Sequence, residues 1–213
     1  TIDNFGTWLE IDLGALTQNF QIIRQTAGVS LMPIIKANAY GHGSVEVARV
    51  AEDCGMDWIG IATVPEGMAI RQAGVRLPIL KLSPAFPEEM EAAIENDLTL
   101  SVIDVDFIQH LQDTARRMGK KINVHLKVDT GMGRIGVLPE IAPERALFIE
   151  RDCPNLHLQG IFTHMPVADM SDLDPYLYTE DQIQRFKNVV ENVNQAIGRE
   201  IELPHCANSG DIL

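Results

Sequence analysis

Lys36 follows a short apolar run, Leu31 to Ile35, and precedes the turn-forming stretch Ala37-Asn38-Ala39-Tyr40-Gly41-His42-Gly43. The run reads as a buried parallel strand, with Ser44 as the N-cap of the next helix. Such a lysine stands at the carboxyl end of a strand, where α/β proteins gather their reactive groups. An amine that is partly desolvated there loses its proton more easily and can attack a carbonyl. A lone lysine at a strand end often does no more than snorkel to solvent. The glycines and tyrosine that follow Lys36 set it apart, because solubility alone needs no tight turn.

Other residues capable of chemistry also fall just after apolar runs. Lys127, Asp129 and Arg134 belong to His125-Leu126-Lys127-Val128-Asp129-Thr130-Gly131-Met132-Gly133-Arg134-Ile135-Gly136. His164 ends Gly160-Ile161-Phe162-Thr163-His164, and Asn208 and Ser209 follow His205-Cys206-Ala207. Each has a plain structural reading. Tyr40 can simply pack its ring, His164 can be a satisfied core residue, and Asn208-Ser209-Gly210 can be a polar turn. Together they read differently. Arg134 offers a planar fork for a carboxylate, and the imidazole of His164 can cover an aromatic ring. Tyr40 and the Asn208-Ser209 backbone can meet phosphate oxygens. An amine, a phosphate cradle, a ring cover and a carboxylate clamp are what pyridoxal 5'-phosphate and an amino acid require.

The elements that must bring these residues together alternate in type. Strand signals begin near Leu31, Trp58, Pro78, Leu98, Asn123, Leu156 and Leu203. Between them lie helical patterns at Val45–Cys54, from Pro65 to Gly74, at Pro87–Glu95, after Asp104, and at Pro143–Glu150. A long helix is expected to start from a Thr179/Gln182 capping box. Thr7 to Gln25 reads as an extra leading strand and helix. Alternation of this kind implies right-handed βαβ crossovers and a parallel sheet. The expected fold is α/β, a (β/α)8 TIM-type barrel one unit short, with seven barrel strands in a single domain spanning residues 1–213. A doubly wound open sheet is the other arrangement, but it leaves two edges to cover. In a barrel, the strand ends share one rim, so the residues above converge.

With 213 residues, 46% of them hydrophobic, the chain can bury one substantial core. A formal charge of −13 argues against nucleic acid or an anionic membrane surface as the main partner. No apolar stretch is long enough to cross a bilayer, and no signal-peptide pattern opens the chain. Cys54, Cys153 and Cys206 suggest reduced thiols and a cytoplasmic protein. The start at Thr1 without methionine suggests a trimmed N-terminus.

The octapeptide Lys36-Ala37-Asn38-Ala39-Tyr40-Gly41-His42-Gly43 resembles the cofactor-attachment signature of bacterial alanine racemases. Trp8-Leu9-Glu10-Ile11-Asp12-Leu13-Gly14-Ala15-Leu16 resembles the opening segment of that family. Lys127 to Arg134 resembles its substrate loop, Thr163-His164 its ring-packing histidine and Ala207-Asn208-Ser209 its phosphate segment. The resemblance implies that Lys36 carries pyridoxal phosphate as an imine and acts as a base on one face of the α-carbon. It further implies that Tyr40, Asn208 and Ser209 hold the phosphate and that His164 lies against the pyridine ring. Arg134 would bind the substrate carboxylate, and Lys127 would be carbamylated. The implied reaction interconverts L- and D-alanine through an external aldimine, supplying D-alanine for peptidoglycan, in a homodimer.

Several features depart from the family pattern. Racemisation needs proton transfer on both faces. In this family the second group is a tyrosine of a C-terminal β-rich domain reached across the dimer, and the arginine directed at the pyridine nitrogen also lies beyond Leu213. Met165-Pro166 stands where a phenylalanine is usual, and Asp211 replaces a small residue near the phosphate segment. The resemblance therefore implies a fragment truncated before the eighth strand, with little or no racemase activity alone. Two other readings are weighed: a single-domain pyridoxal phosphate-binding protein without racemase activity, and a metal-dependent barrel hydrolase using His42, His125, His164, His205 and Asp129. The second lacks closely paired ligands, so no metal site is expected.

Overall fold

Six parallel strands run in strict chain order: β1 Ile59–Ile61, β2 Ile79–Lys81, β3 Leu98–Val102, β4 Ile122–Lys127, β5 Leu156–Phe162 and β6 Leu203–His205. This is a computed structural model describing residues 6–170 and 172–212, so the expected domain bounds Thr1 and Leu213 lie outside the described residues. Each crossover carries a helix: Val64–Gln72, Met90–Glu95, Val105–Arg117, Ala142–Asp152 and Leu173–Ile197. Registers such as Ile59 with Ile79 and Ile79 with Leu98 confirm parallel pairing throughout. The strands are apolar because helices cover them; Ile59, Ile79, Leu100, Val124 and Leu158 are fully buried. Burial of each such side chain contributes on the order of 2 kcal/mol. The result is a parallel α/β half-barrel.

The expected count of seven strands is not met. The first, from Leu31, reduces to one bridge between Ile34 and Gly60. Backbone bonds at Ile35 N–H to Gly60 O (2.9 Å) and Gly60 N–H to Pro33 O (2.9 Å) still hold the segment beside β1. Two causes shorten it. Pro33 has no N–H to donate, and Ile35 leaves the extended region at ψ 22°. Gly60 lets it approach, since a Cβ there would collide with Ile34 Cδ1.

Other expectations shift in detail. Residues 7–12 form no strand; Trp8 and Leu9 are exposed, and Asp12 caps the Leu13–Ala27 helix by accepting from the Gly14 and Ala15 N–H groups. Ser44 is not a cap but the first residue of the Ser44–Asp53 helix, whose N-cap is Gly43. Thr179 and Gln182 form no capping box: the helix starts at Leu173, so both lie inside it, buried. A capping box does occur at Thr63 and Glu66, opening the Val64–Gln72 helix. Pro87–Glu95 divides into a 3-10 turn, Pro87–Glu89, and the helix Met90–Glu95. Asp104 caps as expected, accepting from the Phe107 N–H at 2.8 Å.

Beneath the rim sits a buried aromatic and imidazole group. His125 Nδ1 and His205 Nε2 share a hydrogen bond of 2.9 Å. Phe162 stacks on His205 with centroids 4.8 Å apart, and Trp58 tilts against His125 at 5.3 Å. A bulge in the β4–β5 register gives Gln159 no partner, so His125 lies opposite Gly160. A Cβ on Gly160 would come within 2.7 Å of the His125 ring, which is why glycine is needed there. Burial pushes His125 down to about 4, opposed by the polar Gln159 side chain, and burial plus the neighbouring His125 and Lys127 push His205 down to about 3.

Unfolded imidazoles near 6.5 bind protons that these folded ones refuse. Their stabilising contribution is therefore complete above about pH 6.5 and declines as pH falls toward the folded values, by about 1.4 kcal/mol per pH unit per histidine. The urea midpoint of the full chain is expected to fall between about pH 7 and about pH 5, with His205→Asn reducing the dependence. An equally steep loss in the variant would show that other groups govern it.

Candidate active site

Lys36 opens an unusual turn. Ala37, Asn38, Ala39 and Tyr40 all have positive φ, at 52°, 55°, 51° and 53°. For L-residues a left-handed turn costs roughly 1–2 kcal/mol per residue, so neighbouring groups must hold it. The Ala37 N–H donates to Glu66 Oε1 at 2.7 Å, and the Ser44 N–H to Asn38 Oδ1 at 2.9 Å. His42 Nδ1 lies 2.9 Å from Ala39 O, and Gly43 N–H donates to Asn38 O at 3.0 Å. Gly41 and Gly43, at φ 92° and 91°, then return the chain to the Ser44–Asp53 helix. Lys36 Nζ lies 5.9 Å from the centroid of the Tyr40 ring, which is largely exposed.

The loop after β4 folds around one carboxylate. Asp129 Oδ1 accepts from the Gly131 and Gly133 N–H groups at 3.0 Å each, and Oδ2 from the Arg134 N–H at 2.7 Å. Burial opposes ionisation of Asp129, but these backbone donors outweigh it and hold the carboxyl below its usual range. Two side-chain ties come from the Leu173–Ile197 helix: Tyr178 Oη donates to Gly131 O at 2.7 Å, and Gln182 Nε2 to Thr130 Oγ1 at 3.4 Å. Thr130 in turn bonds Thr163 at 2.9 Å, next to His164. The Gln182 contact explains why that residue is polar yet buried. Local spacing suggested a cap; the loop that Gln182 faces was not visible from local sequence.

Positive charge concentrates on this rim. Lys127, only 5% exposed, places Nζ 4.0 Å from the Phe162 ring centroid. Burial lowers it to about 8; Arg134 and Lys36 add to the fall, and Asp129 opposes it. His164 is lowered by burial, then by Arg134, Lys127 and Lys36, with Asp211 opposing. The fold thus brings Lys36, Lys127, Arg134 and His164 within range of one another's charge. Asp129 partly offsets this positive charge, and its carboxylate also accepts three backbone N–H groups.

Asn208 lies in the adjoining loop, but its polar atoms are engaged: Nδ2 donates to Met165 O, Oδ1 accepts from the Gly210 N–H, and its own N–H donates to Asp211. It therefore joins the loops after β5 and β6. Ser209 begins the short helix Ser209–Ile212. Burial raises Asp211 above the usual carboxylate range despite its bond from Asn208 and the nearby His164. A cavity of about 460 Å³ beside the loop is lined by Arg134, Arg185 and Glu140 but not by Lys36.

Two site neighbours escaped the sequence reading. Lys81, at the end of β2 and 3% exposed, donates to Pro84 O at 2.8 Å and Ser83 O at 3.1 Å. Its burial lowers its pKa, opposed by Glu89 and Glu66. It carried the same signal as Lys36, a lysine ending an apolar run. Glu66 was legible through its Thr63-x-x-Glu spacing. Among the described residues, no three His, Cys, Asp or Glu side chains converge to hold a metal, and no helix is long and apolar enough to cross a membrane.

The family model for the alanine racemase N-terminal domain matches residues 11–213. An alanine racemase of Cutibacterium acnes is 40% identical over 205 residues, covering 95% of this chain and 54% of that protein. One of Methanococcus maripaludis is 36% identical over 208 residues, covering 97% and 55%. The solved Clostridium difficile alanine racemase in complex with cycloserine superposes with a TM-score of 0.92 at 34% identity, over 98% of this chain and 57% of that one. The chain spans about half the length of these relatives. It belongs to the alanine racemase family and carries that family's N-terminal domain.

Proposed function

We propose that this chain is the pyridoxal phosphate-binding barrel domain, residues 1–213, of an enzyme that interconverts L- and D-alanine. The observation that carries the reading is the cluster of Lys36, Lys127, Arg134 and His164 on one rim of a chain with net charge −13. Cations held together in a partly buried site are destabilising unless an anion joins them. A ligand with a phosphate and a carboxylate supplies two. The residues also fit this cofactor chemically, because a primary amine stands at the rim on a rigid turn. When bound, pyridoxal phosphate supplies an aldehyde and an electron-withdrawing ring that makes the α-proton of an amino acid removable.

Lys36 is the residue that would hold the cofactor through its amine, and it would take or return the α-proton on its own face. Tyr40, exposed beside it, and Ser209 offer hydroxyls to the phosphate. Asn208 supports that segment through its bond to Met165 O. His164 would cover the cofactor ring with its imidazole. Arg134, on a loop fixed by Asp129, pairs with the substrate carboxylate through its planar fork. Inversion requires a second proton-transferring group on the opposite face. Sequence of the kind the relatives carry beyond the matched half would supply it, together with the last barrel strand and a homodimer contact. The domain alone is then expected to bind cofactor and racemise weakly, in the cytoplasm, toward D-alanine for peptidoglycan. Reductive trapping with borohydride is expected to place one pyridoxyl group on Lys36 and none in Lys36→Ala. Labelling of Lys120 or Lys187 instead would contradict the reading.

Lys127 is the group proposed to be carbamylated. At a pKa of about 8, a usable fraction is the neutral amine that adds carbon dioxide, losing a proton to leave a carbamate. That exchange turns a cation beside Arg134 into its anionic partner. With labelled bicarbonate, the carbon NMR spectrum is expected to gain one carbamate resonance that Lys127→Met lacks. Its persistence in the variant would place the modification elsewhere.

Substrate carboxylate binding at Arg134 makes a separate prediction. Arg134→Lys is expected to raise KM for alanine by about tenfold or more, equivalent to ~1.4 kcal/mol, with trapping at Lys36 unchanged. An unaltered KM would remove Arg134 from this role.

A further inference from the structure

Glu66 sits on the first turn of the Val64–Gln72 helix and is not among the residues assigned to cofactor or substrate. Its two oxygens have different duties. Oε2 accepts from the Ala62 N–H at 2.9 Å and the Thr63 N–H at 3.1 Å, closing the capping box. Oε1 accepts from the Ala37 N–H at 2.7 Å. That N–H belongs to the first of four successive left-handed residues, and directly follows Lys36. None of the four is glycine, so the conformation is intrinsically unfavourable. A charged acceptor on a backbone N–H is among the stronger hydrogen bonds available. The charges of Glu66 and buried Lys81 also attract each other. Asn38 ties the turn to the helix that directly follows it, through the Ser44 N–H, while the ties from His42 and the glycines stay within the turn. Glu66 ties it instead to the next helix along the chain, Val64–Gln72.

We infer that Glu66 is a positioning residue: its carboxylate braces the left-handed turn against the Val64–Gln72 helix and so aims Lys36 and Tyr40. The inference rests on the function proposed above for what Lys36 does, but not for whether the turn is braced.

Glu66→Gln separates the two duties. Glutamine serves in a capping box as well as glutamate, so its oxygen keeps the Ala62 and Thr63 bonds. Its amide NH2 then faces the Ala37 N–H, donor against donor. The full chain should still melt cooperatively, at a temperature lowered by a few degrees at most, while amide exchange across Ala37–Gly43 accelerates by about tenfold or more. Covalent attachment of pyridoxal phosphate at Lys36, followed by absorbance, should slow by a similar factor of about ten. Thr63→Ala gives the converse: a lower melting temperature, with exchange at Ala37–Gly43 and attachment within about twofold of the parent. Unchanged exchange in Glu66→Gln overturns the brace. Faster exchange with unchanged attachment overturns the positioning role. Failure of the parent chain to attach pyridoxal phosphate would sink the proposed function and the positioning role with it, while the exchange result would still decide the brace.

Discussion

Mutual repulsion among cations, held in place by a parallel sheet, is the constraint around which this domain is organised. A βα repeat places every strand end on one side. Lys127 ends β4, His164 follows β5 and Lys36 follows the bridge beside β1. Burial, and after it their proximity, depresses Lys127 and His164. The fold accepts this cost because the strands are anchored elsewhere, by the fully buried Ile59, Ile79, Leu100, Val124 and Leu158. A well-packed apolar layer lets the rim stay electrostatically unsatisfied until a ligand arrives.

Rigidity is the second requirement, since loosely held cations would simply move apart. The Lys36 turn is fixed by Glu66 and Asn38. The Arg134 loop is fixed by Asp129 from within and by Tyr178 and Gln182 from outside. Beneath both, neutral His125 and His205 fill the barrel with a polar pair that adds no further charge under Lys127. The first two devices share a purpose: each restrains backbone that would otherwise relax the charge cluster.

Much of this was legible before any coordinates. The alternation of apolar runs and helical faces gave the parallel α/β class, because strands covered on both sides must be apolar throughout. The position of Lys36, Lys127, Arg134 and His164 after those runs put them on one rim. What escaped was set by tertiary context. Pro33 and the departure of Ile35 from extended geometry shortened the first strand to a bridge. Thr179 and Gln182 matched a cap by spacing, yet both lie inside the helix, and Gln182 meets Thr130 across the chain. Asn208 read as a phosphate ligand by composition, whereas three of its polar groups are engaged within the protein. Local spacing cannot reveal which of two partners a polar side chain will meet.

The central claim is that the rim cations share a site with room for an anion. Its most direct test is to titrate Lys127 and His164 by NMR in carbon dioxide-free buffer, with and without pyridoxal phosphate. The account expects Lys127 to titrate near 8 in the free protein, and both groups to move upward when the phosphate-bearing ligand binds. A normal lysine value in the free protein, or no movement of either group on binding, would contradict it.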